Sequence, residues 1–295
     1  MINKMLYTIG FIFSIIFCGD LTYKELPILQ SGRIKPIDTF ARNGLLQFYG
    51  KSSIKANNDE SNLSAVDWLF TSFVNPDQEF KRNIFNIRNP EVSFGLGIDK
   101  NDNHRYNFNQ IIDGFRENQD LLELLKNKDE ENQSLVDKQI IEIYNNILSY
   151  DQIAHGVYCL LPLINISNDV NREFMELDSN ESLSYSYFMR NIEKFRFLLQ
   201  NLLDTDESEW NESHLEISQI ALQLESMTQF HYARSIKIIP GSNEEWFSPW
   251  EMMDGRQLTS LQYEILELYE KLFYHYVQGD FSSVNNYSEL IINKI

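Results

Sequence analysis

The stretch Leu258 to Gly279, LTSLQYEILELYEKLFYHYVQG, decides the fold class. Leu258, Leu261, Ile265, Leu268, Leu272 and Tyr276 recur at steps of three and four, opposite Glu264, Glu267 and Lys271. That period belongs to a helix with one apolar face. Thr259 with Gln262 three residues later forms the pattern of a capping box, and Gly279 supplies a left-handed stop.

Working outward, the same spacing recurs along the chain. It appears in Phe108, Ile111, Ile112 and Phe115, and in Val136, Ile140, Ile143 and Ile147. It appears again in Phe188, Ile192, Phe195, Leu199 and Leu202, and in Ile217, Ile220, Leu224 and Met227. Ser64 is placed to cap a helix whose face holds Val66, Leu69, Phe70 and Phe73, stopped by Asn75-Pro76. Asp38 is the expected cap of a helix reaching Tyr49 and closed by Gly50. The charged run 126–134 either breaks or extends its helix. Residues 84–98, interrupted by Pro90, Gly95 and Gly97, predict small strands or a tight loop, and Ile236 to Ile239 one strand-like piece. Helices this short are unstable alone and must pack together. The expected fold is therefore mainly α, an irregular helical bundle with a few short β-strands, and residue 165 is a candidate sub-domain boundary.

The chain has 43 acidic against 25 basic residues, a formal charge of -18, which disfavours nucleic acid as a partner. At the start, Lys4 precedes the uncharged run Met5 to Cys18, MLYTIGFIFSIIFC. This is shorter than the about 20 residues of a spanning helix and fits the apolar region of a signal peptide. Residues 1–18 are expected to be such a segment, with 19–295 an extracytoplasmic (periplasmic) helical domain. Two alternatives stay open: a lipoprotein signal ending at Cys18, and an uncleaved anchor.

Cys18 and Cys159 are the two cysteines, and Cys159 sits in an apolar run, the setting of a buried thiol. His155 lies four residues before it without a third metal ligand at suitable spacing. There is no CxxCH, CxxC, GxSxG, HExxH or Walker pattern. Metal ligation and these forms of catalysis thus have no sequence support.

Two segments stand out chemically. Leu26 to Arg42, LPILQSGRIKPIDTFAR, sets Arg33, Lys35 and Arg42 near Asp38 in an otherwise acidic chain. Such cations suit either a small anion or carboxylate site or an internal knot of ion pairs. Ile239 to Met253 groups Trp246, Phe247 and Trp250 around Pro249. Clustered aromatics serve either as a partner surface or as core anchors for a loop.

The segment LPILQSGRIKPIDTFARNGL resembles the LPV…GR-(I/V)-KP-(L/M)-(D/N)-T block of CcsA-type cytochrome c biogenesis proteins, in their extracytoplasmic part. IFNIRNPEVSFGLGIDKNDNHRYNFNQI, IKIIPGSNEEWFSPWEM and LYEKLFYHYVQGDFSSVNNYSEL are similar to later blocks of that family, in the same order, across residues 26–290. The resemblance implies a place in the system II pathway, in which CcsA-type membrane proteins present haem to apocytochrome thiols. The family's haem-handling histidines and tryptophan-rich motif belong to its membrane part, so none of those roles carries over to this chain.

The resulting expectation is a non-catalytic accessory domain, with or without a membrane tether, acting beside a separate CcsA-like membrane protein, with apocytochrome c as a second candidate partner. An exported peptide- or peptidoglycan-processing enzyme is the alternative from another class. No cofactor is expected, with one open case: haem bound through a single histidine, His231 or His275.

Overall fold

The computed structural model describes residues 22–54, 62–177 and 181–295. The expected targeting segment and Cys18 lie outside them. The described residues form fourteen α-helices and four two-stranded antiparallel sheets, in agreement with the expected mainly helical class. Among them, no helix is long and apolar enough to cross a membrane.

The N-terminal part begins with a single 3-10 turn, Thr22–Glu25, followed by a hairpin of β1 (Pro27–Gln30) and β2 (Arg33–Pro36). Its turn residues Ser31 and Gly32 have φ of 52° and 72°, the left-handed geometry that two-residue hairpins require. α1 (Ile37–Phe48) follows directly. Its N-cap is Pro36 without a side-chain cap, so the expected capping role of Asp38 is corrected. Asp38 lies inside the first turn and reaches forward to Arg42 instead. A small sheet of β3 (Ser53–Ile54) and β4 (Leu63–Ser64) leads to α2 (Ala65–Val74), where Ser64 caps Asp67 as the sequence predicts. After α3 (Pro76–Glu79), β5 (Phe85–Asn86) pairs with β6 (Arg105–Tyr106). β5 is the small strand expected within 84–98, while Pro90–Gly95 in the same stretch is α4, a short helix that Asn89 caps.

α5 (Phe108–Glu117) and α6 (Gln119–Lys126) end at the charged run, which does break the helix. Ser134 and Asp137 then build a capping box that opens α7 (Leu135–Ala154). α8 (Asp169–Phe174) follows. The helix expected through Phe188 and Leu202 is divided at Asn191 into α9 (Tyr185–Arg190) and α10 (Ile192–Asp204). α11 (Glu212–Met227) precedes a second hairpin of β7 (Ile239–Pro240) and β8 (Trp246–Phe247), so the strand-like piece has a partner. α12 (Pro249–Met252) leads to α13 (Ser260–Gln278), capped by Thr259 and Gln262 and closed by Gly279 at φ 74°; α14 (Phe281–Lys294) folds back along it.

The buried face of α13 comprises Gln262, Ile265, Leu266, Tyr269, Leu272, Phe273 and Tyr276, while Leu261 is 41% exposed. The stripe thus keeps Ile265, Leu272 and Tyr276 and widens to Leu266, Tyr269 and Phe273, because α14, β7 and the 3-10 turn Tyr158–Leu160 all pack on the helix. The core is continuous from Tyr23 to Ile291 and runs unbroken past residue 165. One aromatic nucleus has Trp68 stacked on Tyr150, with Phe48, Phe80 and Phe85 against the same tyrosine. The first described residues meet the last two helices: the Thr22 amide donates to Asn285 Oδ1 at 3.0 Å, and Tyr23 packs edge-on to Tyr276. Gly114 allows another close approach, since a Cβ there would stand 2.6 Å from the Leu96 carbonyl oxygen.

Candidate functional site

The two hairpins come together at one point. The Leu29 amide of β1 donates to the Lys237 carbonyl at 2.9 Å, which bridges the first hairpin to the strand entering the second. Residues of α1 and α7 join this junction, and the four segments line a half-open cavity of about 360 Å³. That is within the usual range for small-molecule sites. Leu29, Phe40 and Ile153 give it an apolar side. Its polar side carries Gln30, Ser31, Gln47, Ser149, Ser235 and Lys237.

Several of these groups have a fixed orientation. Gln30 Oε1 accepts from Lys35 Nζ at 3.3 Å and from Asn43 Nδ2 at 3.1 Å, so its amide nitrogen is the end left over. Gln47 donates through Nε2 to Asn146 at 2.7 Å, leaving its carbonyl oxygen. The Ser235 hydroxyl is buried and has no hydrogen-bond partner. Among the described residues, Lys237 forms no ion pair, although carboxylates are abundant in the chain.

The cations singled out in the sequence are only partly gathered. Arg42 Nε meets Asp38 at 2.7 Å one helical turn away, an exposed pair of the kind worth about 0.3–0.5 kcal/mol. Lys35 turns to Gln30, and Arg33 stays exposed on β2 without an ion pair among the described residues. These residues therefore form no closed knot around Asp38. Lys35 acts indirectly on the cavity by orienting Gln30.

Of the two readings open for the aromatic segment, the packing of its tryptophans is that of a core anchor. Trp246 is 5% exposed and Trp250 fully buried. The Trp250 indole donates to the His155 carbonyl at 2.9 Å, and its ring lies against Tyr185 and His231. Phe247 is half-buried beneath the Arg256 guanidinium. Trp250 stands on α12, directly after the β7–β8 hairpin, and α12 sets its ring against the end of α7 and the start of α9.

Three of the five histidines each meet a carboxylate. His155 caps the end of α7, while Cys159 follows in a separate 3-10 turn, so the two do not share a helix. Asp151 takes His155 Nδ1 at 3.1 Å and also the Tyr232 hydroxyl, and Phe230 stacks on the imidazole at 4.1 Å. This Asp-His pair is covered, with His155 only 6% exposed. His231 Nε2 meets Asp254 at 2.7 Å, and His275 Nδ1 meets Asp280 at 3.1 Å beside the Tyr287 ring. No group of three or more metal-ligating side chains converges among the described residues. Burial, with the charge of Glu270 nearby, pushes the Cys159 thiol well up, away from a reactive thiolate.

The sequence matches no protein-family model and no curated protein.

One buried charged cluster went unread. Arg190 at the end of α9 pairs with Glu270 of α13 at 2.5 Å and with Glu267 at 3.2 Å, and Ser184 donates to Glu270 at 2.8 Å. The Arg190 and Glu270 side chains are 3% and 14% exposed. Burial raises the Glu270 pKa above the usual carboxylate range, and Arg190 pulls it back only in part. Burial opposes the Arg190 charge, but Glu270, Tyr263 and Glu267 outweigh it and hold the guanidinium protonated. A sign was present in the sequence: Glu270 stands one turn beyond the apolar Leu266, on the edge of the buried face.

Proposed function

We propose that this chain is a non-catalytic binding domain of cytochrome c maturation, working outside the cytoplasm beside a CcsA-like membrane protein and holding that partner or an apocytochrome. The observation that carries the reading is the spatial meeting of the four resembling blocks. The first meets the third through the Leu29–Lys237 bridge. It meets the second where Phe48 packs on Phe85, just beyond the block, and where Arg105 donates to the Tyr49 carbonyl at 2.6 Å. The fourth carries Tyr276 and Asn285, which receive Tyr23 and Thr22 just upstream of the first. The adjacency in space of blocks this far apart in sequence supports reading them as one module.

The cavity chemistry favours binding over hydrolysis. Lys237 is the one titratable residue in its lining, whereas acid-base cleavage needs a second positioned proton carrier. With Trp250 inside, the surface proposed to meet the membrane partner is the first hairpin, where Arg33 is exposed and Ile34 is 58% exposed.

The test is co-purification with the CcsA-like protein from membranes, comparing wild type with an Arg33→Glu, Ile34→Asp variant, together with haem staining of c-type cytochromes in a deletion strain. The wild type should bring down the partner, the folded variant should not, and the deletion should lower c-type cytochromes. Absence of the partner together with normal cytochrome levels would overturn the proposal.

A further inference from the structure

We infer that the cavity between the two hairpins is a binding site for a small carboxylate with a short apolar body. This site goes beyond the proposed partnership and does not depend on it. Its lining has unmet hydrogen-bonding capacity. A buried hydroxyl without a partner, such as that of Ser235, costs free energy that a ligand oxygen would recover. Lys237 adds an ammonium group that finds no carboxylate among the described residues, in a chain with 43 acidic side chains. Its isolation is therefore not for want of anions. The two-donor grip on Gln30 Oε1 turns the remaining amide donor away from Lys35 and Asn43. Ser31 and Ser149 contribute further hydroxyls to the same lining.

The lining is thus rich in donors and carries one positive charge and no negative one, the pattern that receives a carboxylate rather than a cation. Leu29, Phe40 and Ile153 supply the surface for an apolar portion. Gln47 presents a single acceptor, placed to meet a hydroxyl or amine on that portion. The volume of about 360 Å³ holds roughly a dozen waters at about 30 Å³ each, which admits a small organic acid.

The experiment is an NMR titration of the purified protein with acetate, 3-hydroxybutyrate and phenylacetate, each against its primary amide, with inorganic phosphate as a separate probe. The amides of Ser31, Gly32, Ser235 and Lys237 report on the cavity directly. At least one carboxylate should shift these signals saturably, and about tenfold more tightly than its neutral amide, the equivalent of about 1.4 kcal/mol. Lys237→Met should abolish that preference while leaving the rest of the spectrum intact. Ser235→Ala should weaken the carboxylate without removing the preference.

Three results would overturn the inference: no saturable shift with any carboxylate, equal binding of carboxylate and amide, or equal or tighter binding of phosphate. Because the titration uses no partner protein, its failure leaves the co-purification result untouched, and the reverse also holds.

Discussion

Trp250 is the residue whose removal tests the packing account most directly. It is fully buried, and its indole hydrogen satisfies the His155 carbonyl. Trp250→Ala removes a side chain that buries about 150–250 Å². At about 25 cal/mol per Å² this is about 4–6 kcal/mol, matching the about 3–5 kcal/mol typical of large aromatic deletions. The orphaned His155 carbonyl adds about 1 kcal/mol or more. A loss near 5 kcal/mol is a large part of the about 5–15 kcal/mol that stabilises an ordinary domain. Trp250→Phe keeps a ring in the site and loses the N–H and the outer ring, so about 2 kcal/mol is expected. The assay is urea unfolding followed by far-ultraviolet circular dichroism, which does not depend on tryptophan emission. The order should be wild type, then Trp250→Phe, then Trp250→Ala. A Trp250→Ala midpoint corresponding to a change under about 0.5 kcal/mol, the usual range for surface positions, would refute the core assignment.

Two further outcomes follow from close contacts. Arg190→Met should cost about 3–5 kcal/mol at neutral pH, because it leaves the Glu270 carboxylate buried without its cation. A carboxyl whose folded pKa stands above its unfolded one favours the folded state increasingly as pH falls through that window, so the deficit should shrink on acidification from neutral toward the usual carboxylate range. Unfolding curves across that range check it, and a deficit that grows in acid would count against the pair. Gly114→Ala should lower stability by about 1–3 kcal/mol, since the new methyl would meet the Leu96 backbone oxygen rather than a side chain that can swing aside. An unchanged melting temperature would show that α4 and α5 do not approach as described.

Local signals were legible where one short segment contains the whole interaction. The Thr259–Gln262 box, the Ser64 cap and the Gly279 stop each need only a few consecutive residues, and all three form. Asp38 misled because a helix can begin at a proline without a side-chain cap, while its spacing of four from Arg42 was the better clue. The aromatic segment was ambiguous because composition does not say which way a hairpin turns its rings. α14 carried a weak stripe, since one of its three buried positions is Ser288, whose hydroxyl returns to the Val284 carbonyl at 2.7 Å. The cavity was invisible for a stronger reason: its walls come from β1, α1, α7 and the strand before β7, and only the tertiary fold brings them together. Lys35 stands out in sequence beside Arg33 and Asp38, whereas Lys237, without an ion pair among the described residues, sits in a β-branched stretch that draws no attention to a charge.

The link between Thr22 and Asn285 has a consequence for the order of folding. The two residues are separated by 263 positions. At about 5–20 residues per second, a ribosome needs roughly 13–50 seconds to deliver the second after the first. Throughout that interval Tyr23 lacks the Tyr276 ring against which it finally packs. Tyr23 is therefore covered in two stages, by Phe70 and Asp67 of α2 early and by Tyr276 last, and between them one face of its ring is open to any holdase that meets the nascent chain.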